Sequence, residues 1–380
     1  MSTGHDGSLP VPKNTNVYNL TVAVSKADLL LLFPAVFRKF FWEELYRIIF
    51  LYKLNLTLPV LKSLVIFLLR ALKYKKAIGH ILQTGSIRPQ VIYSHWTFEF
   101  TMGACLLKKD YPLRIASHYH SLGVYFERHK ENYIPFRSYI FNNCDLNLFI
   151  SRHGHEYFLQ RNKIFNSPPG KTAVMYLGVE EPPEVYEQSY DRIILLSNAW
   201  IQPLKRIDLI IRALKLIEAF SVEWIHIGDD YGSGLFRSIC QLADKLLKAK
   251  PNIRYEFAGR KNFAGIRDVF IAKKVNLFIN TSATEGVPIS MMEALSFGVP
   301  LLGTSVGGVP EVIRDGYNGF LLPENPSPEE VAGKITHYFK LPVAAKAGMA
   351  DNARKTWEEQ FNGSKNYGQM AVLLKNLCIK

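Results

Sequence analysis

The stretch from Leu277 to Pro323, LFINTSATEGVPISMMEALSFGVPLLGTSVGGVPEVIRDGYNGFLLP, constrains the fold more than any other part of the 380 residues. Leu277–Asn280 is an apolar run of strand length, and Thr281–Pro288 is loop material. Ile289–Phe297 suits a short buried helix, with Gly298 and Pro300 as stop signals. Leu301–Gly303 repeats the strand, Gly307-Gly308 the loop and Pro310–Arg314 the helix start, before Asp315-Gly316 turns the chain into Phe320–Leu322. Strands alternating with helices imply a parallel sheet, and ligands of such sheets bind at the carboxyl ends of the strands. Two carboxylates stand at that end, Glu285 in the loop and Glu293 in the helix, with seven residues between them.

The chain is long enough for two domains with full cores. Its net charge of +13 is unevenly placed: residues 1–182 hold 22 Lys/Arg against 12 Asp/Glu, and residues 183–380 hold 24 against 21. A basic, aromatic-rich first half calls for an anionic partner, either membrane headgroups or phosphorylated substrates, since no nucleic-acid motif accompanies the charge. Cys105, Cys144, Cys240 and Cys378 lie far apart and form no CxxC, the pattern of reduced thiols in a cytosolic protein. The start, MSTGHDGSLPVPKNT, has no apolar run of the kind a cleaved signal peptide needs.

In chain order, residues 1–16 read as a flexible tail and Asn19–Val24 as a strand. Leu29–Leu82 carries many leucines and aromatics punctuated by Arg38, Lys39, Arg47, Lys53, Lys62, Arg70 and Lys73, Lys75 and Lys76, so no spanning helix fits. It reads either as a pair of amphipathic helices on an anionic bilayer or as core helices with solvated basic faces. Strands follow at Gln90–Ser94, Leu113–Ser117, Leu146–Ser151 and Ala173–Leu177, with helices over Phe98–Lys108 and from Arg152. Glu180-Glu181-Pro182-Pro183 marks a linker. The second half restarts with a strand at Ile193–Ser197, a helix over Ile207–Phe220, a strand at Val222–Ile227, a helix over Phe236–Lys248 and a strand at Ile253–Phe257. Ser327-Pro328-Glu329-Glu330 opens a further helix with a capping box, and Asn352–Leu377 reads as helical.

Glu285–Glu293 with Gly286, Val287, Pro288, the run Met292-Glu293-Ala294, Gly298-Val299-Pro300, Gly307-Gly308 and Asn318-Gly319 resembles the E-x7-E region of the retaining glycosyltransferases of the GT-B fold, family GT4. Pro203-Leu204-Lys205-Arg206 with Asp208, Trp224 to Asp229 and Tyr133 to Arg137 widen the resemblance to roughly residues 90–340. It implies an α/β, GT-B architecture: two Rossmann-like domains facing each other, here 1–182 on the acceptor side and 183–357 on the nucleotide-sugar side, with 358–380 as a helix crossing back to the first domain.

The implied chemistry suits the residue types. A nucleotide-sugar diphosphate needs cations and backbone N–H donors, so Lys205 and Arg206 supply charge, and the helix starts at Ser290 and Gly308 supply dipoles. Carboxylates repel phosphate and are better used on hydroxyls: Glu293 on the ribose, Glu285 near the donor sugar. The backbone of Gly286 to Ser290, with Val287 and Pro288, lies along the donor, and Arg260 joins the donor-binding set. His120 aligns with a histidine that faces the donor sugar, in a Ser117–Arg128 segment with His118 and Gly123 where the family has Arg and Asp. Taken alone, Lys205-Arg206 reads as a solvated surface pair, Glu285 as loop polarity, Met291-Met292 as core packing, and His95 and His118 as weaker rivals of His120. The ten histidines show no metal-ligand spacing along the sequence. The family works without metal, and the nucleotide-sugar is a substrate rather than a cofactor.

The resemblance implies a UDP- or GDP-sugar donor and a polysaccharide, lipopolysaccharide or lipid-linked acceptor. The basic, aromatic first half, with no nucleic-acid motif, favours no nucleic acid and an acceptor at the inner membrane face, and the cysteine pattern a cytoplasmic protein, peripheral there. The family opens with a strand and Gly-containing loop that have no counterpart before Asn19, as in a truncated or rebuilt first domain. That departure leaves a rival, a catalytically silent GT-B protein that binds a nucleotide-sugar or partner enzyme, and a third, a sugar-nucleotide epimerase on the same fold.

Overall fold

Short, largely apolar runs become strands, and in the computed structural model ten of them form two wholly parallel sheets among the described residues, 18, 20, 22–85, 89–164 and 170–379. The first sheet takes β1 (Val91–Ser94), β2 (Arg114–Tyr119), β3 (Leu146–Phe149) and β4 (Thr172–Val174) in chain order. The second contains β5 (Ile193–Asn198), β6 (Val222–Ile227), β7 (Ile253–Phe257), β8 (Leu277–Asn280), β9 (Leu301–Thr304) and β10 (Gly319–Leu322). Its order is β10-β9-β8-β5-β6-β7. The order reverses between β5 and β8, which pair through Leu195–Leu277 and Leu196–Phe278. The connections diverge at that point and open a crevice at the carboxyl ends of the strands.

Successive residues of β5 serve opposite faces, which is why the run is apolar without alternation. Ile193 and Leu195 join a core with Trp224, Ile210 and Leu214, while Ile194 and Leu196 join another with Phe278, Met292 and Trp357. The helix read to Phe220 stops at Lys215. Ile217 and Phe220 turn into the core, and Asn252 Nδ2 donates to both of their carbonyls at 3.0 Å, replacing helical partners. A helix unread in the sequence, Phe263–Lys273, is started by the Asn262 side chain, which accepts from Gly265 N at 2.9 Å. The capped helix is Pro328–Lys340, with both capping-box bonds present.

The chain passes between the sheets twice, at residues 178–181 and 361–363. Val179 N donates to Phe361 O and Gly363 N to Val179 O, at 3.0 and 2.9 Å. The continuous helix expected over Asn352–Leu377 is therefore interrupted. Val343–Thr356 runs into a π turn at Trp357–Phe361, and Gly363–Ile379 lays Met370, Leu373, Leu374 and Leu377 against Ala116, Leu146 and Leu148 of the first sheet.

By contacts the chain groups into Met1–Pro89 with Phe98–Leu113, and Gln90–Thr97 with Arg114–Lys380. Both sheets lie in the second group, and the linker at residue 182 falls between them. In the first group, helix Leu58–Thr84 buries Leu64, Leu68 and Ala71 and packs on helix Glu99–Leu107. A Cβ on Gly103 would stand 2.8 Å from the Ala71 carbonyl, so glycine permits the close crossing. This half of the leucine-rich segment is core. The rest is broken into a 3₁₀ turn (Lys26–Leu31), two short helices (Leu32–Val36, Lys39–Tyr46) and a π turn (Arg47–Leu51). Among the described residues no helix is long and apolar enough to cross a membrane. Residues 1–16 lie outside the described residues, as do positions 19 and 21 of the strand read over Asn19–Val24. Leu20 and Val22–Val24 carry no strand, and the first described strand is β1.

Candidate functional site

The loop after β8 is built around one carboxylate. Asn280, the last residue of β8, accepts from Ser282 N at 2.9 Å and donates to Glu285 Oε1 at 3.2 Å. Ser282 Oγ donates to the same oxygen at 2.6 Å, and Lys205 Nζ forms an ion pair with it at 2.5 Å. Lys205 ends a 3₁₀ turn, Pro203–Lys205, in the connection after β5, so the lysine and the glutamate approach from the two strands that flank the order reversal. Gly307 closes the loop from behind: at φ +52°, a Cβ there would lie 1.9 Å from the Glu285 carbonyl.

Arg206, adjacent in sequence to Lys205, goes elsewhere. Its Nε donates to Thr281 O at 2.6 Å, and its Nη2 to the carbonyls of Ser282 and Glu324, both at 2.8 Å. Nη1 donates to Asn325 Oδ1 at 3.1 Å. Arg206 therefore clamps the backbone of the loop and does not line the cavity. The helix start expected at Gly308 is likewise taken: Gly308 N donates to Gly286 O at 2.9 Å, and the helix it opens is the single turn Val309–Val312. The other helix start is open. Helix Ile289–Ser296 has Pro288 as its cap, without a side-chain bond, and Pro288, Ile289 and Ser290 all face the cavity. Unbonded N–H groups and the aligned peptide dipoles make such an end attractive to anions.

The cavity measures about 600 Å³, within the range of small-molecule sites. It gathers His120, Lys205, Arg260 and Glu285, with Gly286, Val287, Pro288 and Ser290. Glu293 stays behind the wall, buried, 3.4 Å from Asn198 Nδ2, and Asn198 does line the cavity. Burial raises the Glu293 carboxyl to about 7, against a smaller downward pull from Asn198. At one end Trp200 stacks on Tyr231 with centroids 3.4 Å apart, and the Arg260 guanidinium lies 5.5 and 5.9 Å from the two rings. Arg260 and Trp200 together form a flat cationic and aromatic end wall.

The opposite side comes from the ends of β1 and β2. Ser94 pairs with Ser117 in register, so the residues that follow, His95 and His118, emerge side by side, and His120 follows His118 on the same face. The three rings lie 4.4 to 5.9 Å apart, and their ligand nitrogens fall within 4.8 Å of one another. No spacing along the sequence shows this convergence; the repeated Ser-His at two strand ends is the signal that does. His118 is already engaged at both nitrogens: Nε2 with Met175 O at 3.0 Å and Nδ1 with Tyr93 Oη at 3.0 Å. His120 lines the cavity, stacked on Trp96 at 4.3 Å, and its Nε2 is buried without a hydrogen-bond partner. Burial, with His118 and His95 beside it, lowers His120 to about 2, and burial lowers His118 to about 4. Both imidazoles are therefore neutral at physiological pH.

The two sheets are also joined across the cavity side by a carboxylate. Glu311 accepts from Arg152 N and His153 N, both at 2.8 Å, at the start of helix Arg152–Arg161, and from Tyr176 Oη at 2.6 Å. Asn198, Trp200, Trp96 and Glu311 are the residues of this region that the sequence reading passed over.

Residues 180–356 match the family model "Glycosyl transferases group 1". The chain is 24% identical over 276 residues to the putative colanic acid biosynthesis glycosyltransferase WcaL of Salmonella typhimurium, across 70% of this chain and 64% of that protein. It is 26% identical over 268 residues to the amylovoran biosynthesis glycosyltransferase AmsK of Erwinia amylovora, across 66% and 60%. The chain thus spans less than two-thirds of the length of these relatives. Among solved structures, Anabaena Alr3699/HepE in complex with UDP superposes at a TM-score of 0.65 and 17% identity over 80% of this chain and 82% of that one. A glycosyltransferase from Rickettsia africae gives 0.64 and 16% over 81% of each. The chain has the GT-B fold of these structures, and residues 180–356 match the group 1 glycosyltransferase model.

Proposed function

We propose that this protein is a retaining glycosyltransferase that moves a sugar from a UDP-sugar to a hydroxyl of a glycan or lipid-linked glycan acceptor. The observation that carries the reading is the single cavity in which the Lys205–Glu285 pair, the open start of helix Ile289–Ser296 and the neutral His120 face one another. The UDP bound by the HepE structure favours uridine over guanosine as the donor base, with Trp200 and Arg260 as the wall against which the base lies. The polysaccharide pathways named for WcaL and AmsK favour a glycan acceptor.

In this reading the diphosphate lies on the N–H groups of Gly286, Val287, Ile289 and Ser290 and draws Lys205 away from Glu285. Asn280 and Ser282 keep the carboxylate in place for a sugar hydroxyl. Glu293 meets the ribose hydroxyls through Asn198, which lines the cavity in front of it. Breaking the bond between the anomeric carbon and the phosphate oxygen puts negative charge on that oxygen, and Lys205 stabilises it by about 3–4 kcal/mol, the worth of a well-placed oxyanion donor. The acceptor hydroxyl attacks from the same face and gives its proton to the departing phosphate oxygen. His120, held neutral, hydrogen-bonds the sugar without repelling a developing positive charge at the anomeric carbon. Arg206 serves by fixing the loop. The donor is consumed as a substrate, and the acceptor places the enzyme peripherally on the inner face of a membrane.

Purified protein incubated with UDP- and GDP-sugars tests this. UDP-sugar hydrolysis or transfer that Glu285→Ala abolishes is the expected result. A thermal shift with UDP-sugars but no turnover with any acceptor supports the silent binder instead. A ligand at a hundred times its Kd adds about 2.7 kcal/mol of stability, enough to read.

A further inference from the structure

Between Leu29 and Leu58 burial is inverted. Phe33 and Phe37 are 71% and 72% exposed, and Trp42, Tyr46 and Phe50 are 61%, 61% and 64% exposed. The last three are spaced i, i+4 and i+8 along helix Lys39–Tyr46 and the π turn after it, so they share one side. On that same helix Glu44 is 2% exposed. The outward rings touch in pairs, Phe33 on Phe37 at 5.2 Å and Tyr46 on Phe50 at 4.9 Å, and Trp42 stands one helical turn before Tyr46, so they are grouped rather than scattered. Contiguous apolar surface of this kind marks a contact site.

Charge identifies what is contacted. Arg38, Lys39 and Lys53 are exposed among the rings, and Glu43, which pairs with Lys39 at 3.3 Å, is the exposed carboxylate of the segment. Aromatic rings beside cations are the composition of an interfacial surface, in which rings enter the acyl boundary and cations meet anionic headgroups. A second copy of this basic chain would bring its own cations opposite these. Helix Leu58–Thr84, although as rich in leucine, turns Leu64, Leu68 and Ala71 inward and has no comparable face.

We propose that the Leu29–Leu58 face is the membrane contact of this protein: it lies on an anionic lipid surface with Phe33, Phe37, Trp42 and Phe50 inserted and Arg38, Lys39 and Lys53 at the headgroups. This rests on the peripheral location proposed above and assigns it to one surface.

Co-sedimentation of the full chain with vesicles tests it, using phosphatidylcholine alone and an equimolar mixture with phosphatidylglycerol. The wild type should bind the anionic vesicles about tenfold more tightly than the neutral ones. The variant Phe33→Ser/Phe37→Ser/Trp42→Ser/Phe50→Ser should lose about tenfold or more on anionic vesicles. Arg38→Gln/Lys39→Gln/Lys53→Gln should lose the preference for them. Both variants change exposed side chains, and their thermal shift with UDP-glucose should match the wild type. Wild type left in the supernatant overturns the proposal, as does an aromatic variant that binds like wild type. A wild-type dimer that the aromatic variant dissolves also overturns it, since a second copy then covers the face. Loss of the UDP-glucose shift with vesicle binding intact counts against the glycosyltransferase reading and leaves this one standing.

Discussion

On the β5–β8 side of the cavity, Lys205, Asn280 and Ser282 converge on one oxygen of Glu285, and a helix start lies open beside them. On the β1–β2 side, His95, His118, His120 and Trp96 crowd together with the two buried imidazoles held neutral by burial. One wall keeps its charge by pairing it; the other removes charge by excluding water. In the proposed reaction the difference is a division of labour: a diphosphate needs the first kind of wall, and a carbon that becomes positive as its bond breaks is left undisturbed by the second. Substitutions that swap the characters of the walls should therefore have unequal costs.

The largest cost falls on the paired wall. Lys205→Ala should lower kcat by about 10²–10³, the effect of deleting a donor to a developing oxyanion, with little change in the melting temperature. Glu285→Ala should lower it as much and also lower stability, because it strands Lys205, Asn280 and Ser282 together. Arg206→Ala is the contrast: four bonds are lost, two to the β8 loop and two to Glu324 and Asn325, so stability falls first and activity follows it. If Arg206→Ala instead lowers kcat at unchanged melting temperature, the assignment of leaving-group charge to Lys205 alone fails.

The walls should also titrate in opposite senses. His118 falls from its ordinary 6.5 to about 4, so between those values the unfolded chain binds the extra proton and stability drops as the pH falls. Glu293 rises from 4.5 to about 7, so the folded chain binds the extra proton in that window and stability drops as the pH rises. Glu293→Gln should accordingly stabilise the unliganded protein at pH 8, by on the order of 1–3 kcal/mol, and do little at pH 4.5. The same variant should weaken UDP-sugar binding. Melting curves at the two pH values, with and without UDP-glucose, check both halves, and a variant that is destabilised at pH 8 contradicts the burial argument.

The two walls were not equally legible from residues alone. The second sheet could be read strand by strand because each run, such as Leu277–Asn280 or Leu301–Gly303, is apolar on both faces and ends in a loop residue, and because Glu285, Gly286 and Gly307 need their loop locally. Helix Phe263–Lys273 escaped because its only start signal is Asn262, and its buried residues form no clear stripe. The imidazole wall depends on the register of β1 against β2, a pairing between residues more than twenty positions apart that no local pattern encodes. Arg206 looked equivalent to Lys205 beside it, yet one turn of backbone at φ +48° sends its side chain to the carbonyls of Thr281, Ser282 and Glu324. The Leu29–Leu82 segment could be read two ways because leucine content alone does not say which face is inward; the structure buries Leu64, Leu68 and Ala71 of the Leu58–Thr84 half and leaves Phe33, Phe37, Trp42 and Phe50 of the other exposed.

A smaller effect tests the end wall. Trp200→Ala removes a ring stacked on Tyr231 and lined by Arg260, and should weaken UDP binding by about tenfold, near 1.4 kcal/mol, at unchanged stability. Isothermal titration with UDP and with UDP-glucose separates base from sugar: both should weaken by the same factor. A loss confined to UDP-glucose would move Trp200 to the sugar.

The smallest effect concerns how the walls are held facing each other. Glu311 belongs to the second sheet's connection, yet it accepts the first two N–H groups of helix Arg152–Arg161 and the Tyr176 hydroxyl on the first sheet's side. A carboxylate at a helix start gains from both the N–H bonds and the helix dipole, about 1 kcal/mol in an exposed position. Ser151 caps the same helix through Gly154 N, so the helix itself survives without Glu311. Glu311→Ala should therefore cost about 1 kcal/mol of stability while loosening the link between the sheets. Small-angle scattering should show a larger radius of gyration for Glu311→Ala without ligand, returning toward the wild-type value with UDP-glucose, since a donor held by both walls replaces the missing tie. An unchanged radius in both states would mean that the contacts at Val179, Phe361 and Gly363 alone fix the two sheets, and that the walls meet without help from this carboxylate.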